Sequence, residues 1–293
     1  MNFIIYFSLL VLAIGCSSNP KSYVEGIKNE NFNSPTLVKY NYRDDFLANS
    51  NSRYFPLLAD ETLQRHKKSE IKDVLDKANE LTKITVLCHL KEYEDAYEVV
   101  DNLFSRYKEH PVYWNSVGIC YFLEGNLRKA QLFFNKSLDV EKNYAPALNN
   151  LGVIYRARGE DQKALVAFER ARSASKYSKT PKFNIAQLYL EYGIIDKAFK
   201  FFFGMKKEYP SDIDVAAALA TTYLFKGNYR SAVSEFSKLP SDFQERDDIG
   251  INYAYALYLK GDKKEARSVL SDVELKNPKL NAYYNKVKQL VRK

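Results

Sequence analysis

The chain has 293 residues, 46% of them hydrophobic, and its 23 Tyr and 18 Phe against a single Trp assign much of the core packing to aromatic rings. Its net charge of +8, from 44 basic and 36 acidic residues, describes a solvated Lys-rich exterior. No basic stripe interleaves with aromatics, which excludes a nucleic-acid binder. His66, His89 and His110 lack a second His, Cys or carboxylate at metal-ligand spacing, and no phosphate-binding Gly loop, G-x-S-x-G or zinc-helix motif occurs. The residues therefore predict no metal, no cofactor and no enzymatic activity.

In chain order, residues 1–15 read as an export signal: Phe3 to Gly15 is an apolar run broken only by Ser8, shorter than the roughly 20 residues that span a bilayer. The run ends in Leu12-Ala13-Ile14-Gly15-Cys16, with Ser17 and Ser18 following. This resembles a bacterial lipobox, although Ala13 stands where Leu is usual and the segment before the apolar run has no Lys or Arg. The resemblance implies cleavage before Cys16, a lipid on its thiol, and a place in the cell envelope facing the periplasm. Ser17 directly after the cysteine favours the outer membrane over the inner one. Lipid chains contribute about 0.8 kcal/mol per buried CH₂, so two or three together hold a protein on a membrane face.

Residues 16–59 carry the lipidated cysteine and a polar, Asn- and Ser-rich tether. As a coil of about 40 residues it spans on the order of 35 Å. Its aromatics Tyr40, Tyr42, Phe46, Tyr54 and Phe55 have little use in a solvated linker, and some are expected to dock on the rest of the chain. Over 60–76 the spacing of Leu63, Ile71, Val74 and Leu75 predicts a helical lead-in.

From 77 to 280 the chain repeats. Ala96, Ala130, Ala164, Ala198, Ala232 and Ala266 stand one every 34 residues, and Gly125, Gly159, Gly193, Gly227 and Gly261 keep the same step. Six units follow: 77–110, 111–144, 145–178, 179–212, 213–246 and 247–280. Gly118, Gly152, Ala186, Ala220 and Ala254 share one place in the first predicted helix of their units, where a small side chain lets a second helix come close. The glycines on the 34-residue step are suited to the left-handed conformation that ends that helix. The first unit is irregular, with Ile84 at the small position and Lys91 at the glycine position. Cys88 and Cys120 fall in predicted helices of successive units, where geometry rarely suits a disulfide, so they are expected as buried free thiols. Residues 281–293 carry Tyr284, Val287, Leu290 and Val291 at helical spacing and read as a capping helix.

Trp114, Val117, Gly118, Tyr121, Ala130 and Phe134 in the second unit, and Leu148, Leu151, Gly152, Tyr155, Ala164 and Phe168 in the third, resemble the tetratricopeptide repeat pattern. That resemblance implies an all-α fold, a right-handed α-solenoid of about six helix-turn-helix repeats with a C-terminal capping helix. It also implies a concave groove lined by the first helices. Reading the groove-facing positions gives Asn115, Ile119, Phe122, Asn149, Asn150, Arg156, Phe183, Asn184, Gln187, Leu190, Leu224, Phe225, Asn252, Tyr255 and Tyr258 as candidate peptide-binding residues. Asn150, Asn184 and Asn252 occupy the place where the family uses asparagine against an extended ligand's backbone. The groove lacks the Lys and Arg cluster with which one branch clamps a C-terminal carboxylate.

The expected function is a lipid-anchored, non-enzymatic scaffold that binds protein partners of a membrane-associated complex. By resemblance, such lipoproteins serve outer-membrane protein insertion, pilus and secretin assembly, or periplasmic flagellar structures. Two alternatives stay open: a ligand-binding accessory of a solute transporter, and a surface lipoprotein contacting a host.

Overall fold

The computed structural model describes residue 75 and residues 78–175 and 178–292. Cys16, the expected signal sequence and tether, and almost all of the expected lead-in lie outside the described residues. Those residues are all-α, with no β-strand among them, and fourteen helices follow in order. They are α1 (Glu80–Leu90), α2 (Tyr93–Tyr107), α3 (Pro111–Leu123), α4 (Leu127–Val140), α5 (Ala145–Ala157), α6 (Asp161–Ala174), α7 (Lys179–Glu191), α8 (Ile195–Glu208), α9 (Ile213–Phe225), α10 (Tyr229–Phe236), α11 (Ser241–Gln244), α12 (Asp247–Lys260), α13 (Lys263–Asp272) and α14 (Asn281–Arg292). No helix among them is long and apolar enough to cross a membrane. The residues form two compact units, one ending at Ile185 and the other beginning at Ala186, within α7.

Local chemistry sets the helix ends. Asn79, Asn126, Asp212 and Asn228 each accept a hydrogen bond from a backbone N–H three residues on, at 2.9 to 3.1 Å. Such caps contribute about 1 kcal/mol each. Pro111 and Pro146 sit in the first turns of α3 and α5, where a missing N–H costs nothing. Gly125 has φ +83° and closes α3; its amide donates to the Phe122 carbonyl at 2.9 Å. Lys91 takes the same left-handed conformation, φ 66°, at the end of α1 without glycine's freedom. This is the local cost of the irregular first unit, on the order of 1 kcal/mol.

In the N-terminal unit α1 packs on α2 and α3, α3 on α4, α4 on α5, and α5 on α6. Phe134 and Phe168, fully buried, each press on a glycine of the preceding first helix: a Cβ added at Gly118 would lie 2.5 Å from Phe134, and one at Gly152 2.4 Å from Phe168. The small residues of the repeat are thus seats for these rings. Around them Trp114 stacks on Phe133 (5.8 Å, 9°) and Phe133 stacks near Tyr121 (5.2 Å, 6°), with Tyr97 tilted beyond (5.4 Å). Lys129 lies 4.8 Å from the Tyr121 ring centre, and Lys163 repeats the contact 5.9 Å from Tyr155. Each exposed lysine thereby covers aromatic surface while its charge stays wet.

In the C-terminal unit α8 packs on α9, α9 on α10, α10 on α12, and α12 on α13. The Lys–Tyr contact recurs between Lys197 and Tyr189 at 5.2 Å. Pro240 follows the short α10, and α11 rather than a longer second helix completes that repeat. Helix α14 packs on α12 and α13 and caps the unit. Its buried side chains are Tyr283, Val287 and Val291; Tyr284, which the spacing picked out, is only half-buried.

One expectation is overturned. Cys88 on α1 and Cys120 on α3 form a disulfide, with a Cα–Cα distance of 5.2 Å. Neighbouring first helices pack side by side, and the sequence separation of 32 is two less than the repeat. That offset brings the two cysteines opposite one another, which helix assignment alone does not reveal.

Candidate protein-binding face

The predicted groove residues divide by burial. In the N-terminal unit Asn115, Ile119, Asn149, Asn150 and Phe183 are fully buried, while Phe122, Arg156 and Asn184 are half-buried. In the C-terminal unit Gln187, Leu190, Leu224 and Asn252 are buried, and Phe225, Tyr255 and Tyr258 are half-buried.

The asparagines hold one another. Asn184 Nδ2 donates to Asn149 Oδ1 at 2.9 Å, and Asn150 Nδ2 donates to Asn115 Oδ1 at the same distance. Both pairs are 35 residues apart, one repeat plus one residue, and a longer Asn149–Asn150 contact of 3.5 Å joins them. Four amides on α3, α5 and α7 form one relay across the repeats. Buried polar groups linked in this way fix register, because a slipped helix would leave amides unpaired in a low-dielectric interior. Replacing Asn150 by Leu, of similar volume, is expected to cost about 1–3 kcal/mol, since it strips Asn115 Oδ1 of this donor. Urea unfolding of the variant checks this; an unchanged midpoint would remove the relay's structural role.

Asn252 has a comparable environment in the C-terminal unit. Tyr283 donates its hydroxyl to Asn252 Oδ1 at 3.1 Å, and Asn252 Nδ2 lies 3.5 Å from Thr221 Oγ1. The capping helix therefore reaches a predicted groove residue directly. Tyr255 packs edge-on against Tyr283 at 6.2 Å, and burial pushes its phenol up to about 12, with Tyr229 and Tyr258 adding to the shift. Burial holds the Tyr283 phenol well above its ordinary range. At neutral pH both rings are neutral hydrogen-bonding groups.

Several features of this face were not singled out from the sequence. Thr85 and His89 lie one turn apart on α1, and Ser116 lies beside Asn115 on α3; Thr85 Oγ1, His89 Nε2 and Ser116 Oγ are buried without a hydrogen-bond partner. Burial pulls the His89 imidazole down to about 3, so it is neutral at pH 7. In the C-terminal unit Arg246 chelates Asp248 and lies 3.9 Å from the buried Asp214, 34 residues before Asp248. The signal for these groups was present, since Thr85, His89 and Ser116 occupy groove-facing places of their units. Among the described residues no group of three or more His, Cys, Asp or Glu side chains is placed to hold a metal ion.

No family model matches the chain, and no curated protein matches it. Solved structures do. A tetratricopeptide repeat protein from Parabacteroides merdae superposes with a TM-score of 0.51 at 16% identity, over 92% of this chain and 99% of that one. The fold is that of a tetratricopeptide repeat array. PilW, a type IV pilus biogenesis factor, shares the tetratricopeptide fold with a TM-score of 0.59 at 16% identity, over 71% of this chain and 96% of its own. A chain of the APC/C hetero-tetramer Cut9–Hcn1 gives 0.58 at 17% identity over 85% of this chain. The present chain spans about half, 48%, of that one. At these identities the likeness is one of fold.

Proposed function

We propose that this tetratricopeptide protein is a non-enzymatic scaffold, anchored by lipid on Cys16 in a bacterial cell envelope, that binds an extended segment of a partner protein and supports assembly of a membrane-associated complex. The observation that carries the reading is the make-up of the first helices in each of the two units. Half-buried Phe122, Arg156 and Asn184 in the N-terminal unit, and Phe225, Tyr255 and Tyr258 in the C-terminal unit, rise from a layer fixed by buried amides. Aromatic and Arg side chains on a rigid base are the usual anchors of protein recognition, because little conformational freedom is lost on binding.

Two further points support the envelope setting. A disulfide such as Cys88–Cys120 belongs to oxidising compartments, which include the bacterial periplasm. PilW, of like fold, is a pilus biogenesis factor. Pilus assembly therefore leads the envelope processes in which a partner is sought.

Phe122→Ala and Phe225→Ala test the face. Each is expected to reduce partner capture by about tenfold or more, the scale at which interface anchors act. Helicity by circular dichroism should stay unchanged. Equal capture by the variants and the parent would place the site elsewhere.

A further inference from the structure

We propose that the outer face of α8 is a second membrane contact, a basic and aromatic patch around Phe203 that seats on an anionic lipid surface. The inference rests on the envelope reading above, which puts a bilayer within reach, and adds to it a surface that orients the C-terminal unit.

Helix α8 buries Ala198, Phe202 and Met205. On its other side Lys200, Phe203 and Lys207 follow one another at spacings of three and four, so they share a stripe. All three are exposed, and Phe203 keeps 39% of its surface open. Phe203 stacks on Phe199 at 5.3 Å and 23°, and Phe199 meets Tyr223 of α9 edge-on at 5.4 Å. Lys207 Nζ lies 4.6 Å from the centre of the Phe203 ring, and Lys226 Nζ lies 5.1 Å from that of Phe199. The stacked rings thus form a short ribbon with an ammonium group against each.

The other repeats do not share this chemistry. On the 34-residue step, the place of Phe203 is held by Asp101, Asn135, Glu169, Ser237 and Ser271. The place of Lys207 is held in the first three repeats by Ser105, Asp139 and Ser173. A solvated exterior accounts for those polar residues, but it has no use for an exposed ring between lysines.

Charge and apolar surface together select the partner. Helix α8 carries Lys197, Lys200, Lys206 and Lys207 against Asp196 and Glu208. Asp196 is already paired with Lys226, which lowers its carboxyl below the ordinary range, and Lys200 adds to the effect. Each lysine near an anionic bilayer raises partitioning by about fivefold. An exposed Phe beside such lysines enters the boundary between headgroups and acyl chains, which a soluble acidic protein does not offer. A basic patch of this kind is also the second signal that makes attachment through acyl chains stable.

The test uses the full chain with an environment-sensitive fluorescent amino acid at Gly204, next to Phe203, where an added Cβ meets nothing within 4 Å. Vesicles of phosphatidylcholine, with or without anionic phosphatidylglycerol, carry nitroxide on their headgroups. The probe should be quenched on the anionic vesicles and about tenfold less on the neutral ones. Lys200→Glu with Lys207→Glu should lower the quenching at least tenfold, whereas Lys200→Arg with Lys207→Arg should keep it. Circular dichroism should stay the same in all of these, since the buried side of α8 is untouched. Equal quenching on both vesicles, or quenching indifferent to the charge reversal, overturns the proposal. Flotation separates this inference from the reading it rests on. A chain that floats with neutral vesicles while its probe stays unquenched on either kind overturns the patch and leaves the lipid anchor standing. A chain that floats only with anionic vesicles, its probe quenched, supports the patch and removes the anchor. Failure to float with either overturns both. An acidic envelope protein lost from intact-cell crosslinks in the charge-reversed variant, without quenching in the parent, would assign the face to that protein and overturn the proposal.

Discussion

Replacing Cys88 and Cys120 together by Ala is expected to lower the melting transition of the N-terminal unit by roughly 12–30 °C. The two cysteines are 32 residues apart, and the chain-entropy estimate for a loop of that size is about 3–4 kcal/mol, gained by restricting the unfolded chain. A domain of about 100 residues shifts by about 4–8 °C per kcal/mol. Both cysteines are fully buried, so Ala is preferred to Ser, which would add an unpaired hydroxyl to the core. The effect is concentrated where support is otherwise weakest, because α1 ends in a left-handed Lys91 instead of glycine. In a repeat array each unit leans on its neighbours, and the staple joins the first repeat to the second. Thermal unfolding of the variant, and of the parent with and without reductant, measures the contribution. Equal midpoints in all three would show that the disulfide does not stabilise the fold.

The contact of Phe168 with Gly152 should show the second large effect, and its signature is non-additivity. Phe168 is fully buried, and truncation to Ala leaves a ring-sized hole costing about 3–5 kcal/mol. Gly152→Ala places a methyl group 2.4 Å from the same ring. Overpacking costs about 1–3 kcal/mol, which outweighs the approximately 1 kcal/mol that Ala gains over Gly as a helix former. With both changes the methyl enters space the ring has vacated. The double variant should therefore be less destabilised than the sum of the two by about 0.5–3 kcal/mol. Urea unfolding of the four proteins reads this directly. Strict additivity would mean that the glycine is not the ring's seat.

Much of the fold was legible because the repeat writes its packing rules in small residues. First helices begin at Pro111, Ala145, Lys179, Ile213 and Asp247, each 34 residues after the last. The glycines on that step have positive φ where first helices end. A size constraint at one place in every unit survives in the sequence whatever surrounds it. What depends on two units meeting was harder to see. The Cys88–Cys120 bridge and the Asn115–Asn150 and Asn149–Asn184 bonds have separations of 32 and 35, near the repeat but not on it, and their pairing follows from the side-by-side packing of first helices. The Lys–Tyr contacts have a fixed spacing of eight, seen at Tyr121 and Lys129, Tyr155 and Lys163, and Tyr189 and Lys197. That spacing was readable, but the general rule for lysine as a solvated charge hid it. In α14 the spacing picked out Tyr284, whereas the buried ring is the adjacent Tyr283, whose hydroxyl bonds to Asn252.

The candidate face was legible in its place and less so in its chemistry. Asparagine on a first helix suggested a ligand's backbone, yet Asn115, Asn149 and Asn150 are buried and bonded to amides of neighbouring repeats. The half-buried side chains are the bulkier Phe122, Arg156, Phe225, Tyr255 and Tyr258, with Asn184 at the edge of the relay. The buried amides are those that pair with an amide of a neighbouring first helix, and the fully buried Phe183 shows that ring size alone does not keep a side chain out of the core.

Crosslinking in intact cells, followed by detergent extraction and mass spectrometry of everything joined to the protein, tests the central claim most directly. The scaffold account predicts recurrent recovery of one or a few envelope proteins, reduced in the Phe122→Ala and Phe225→Ala variants. Recovery of the protein alone, repeatedly and at native abundance, would contradict it.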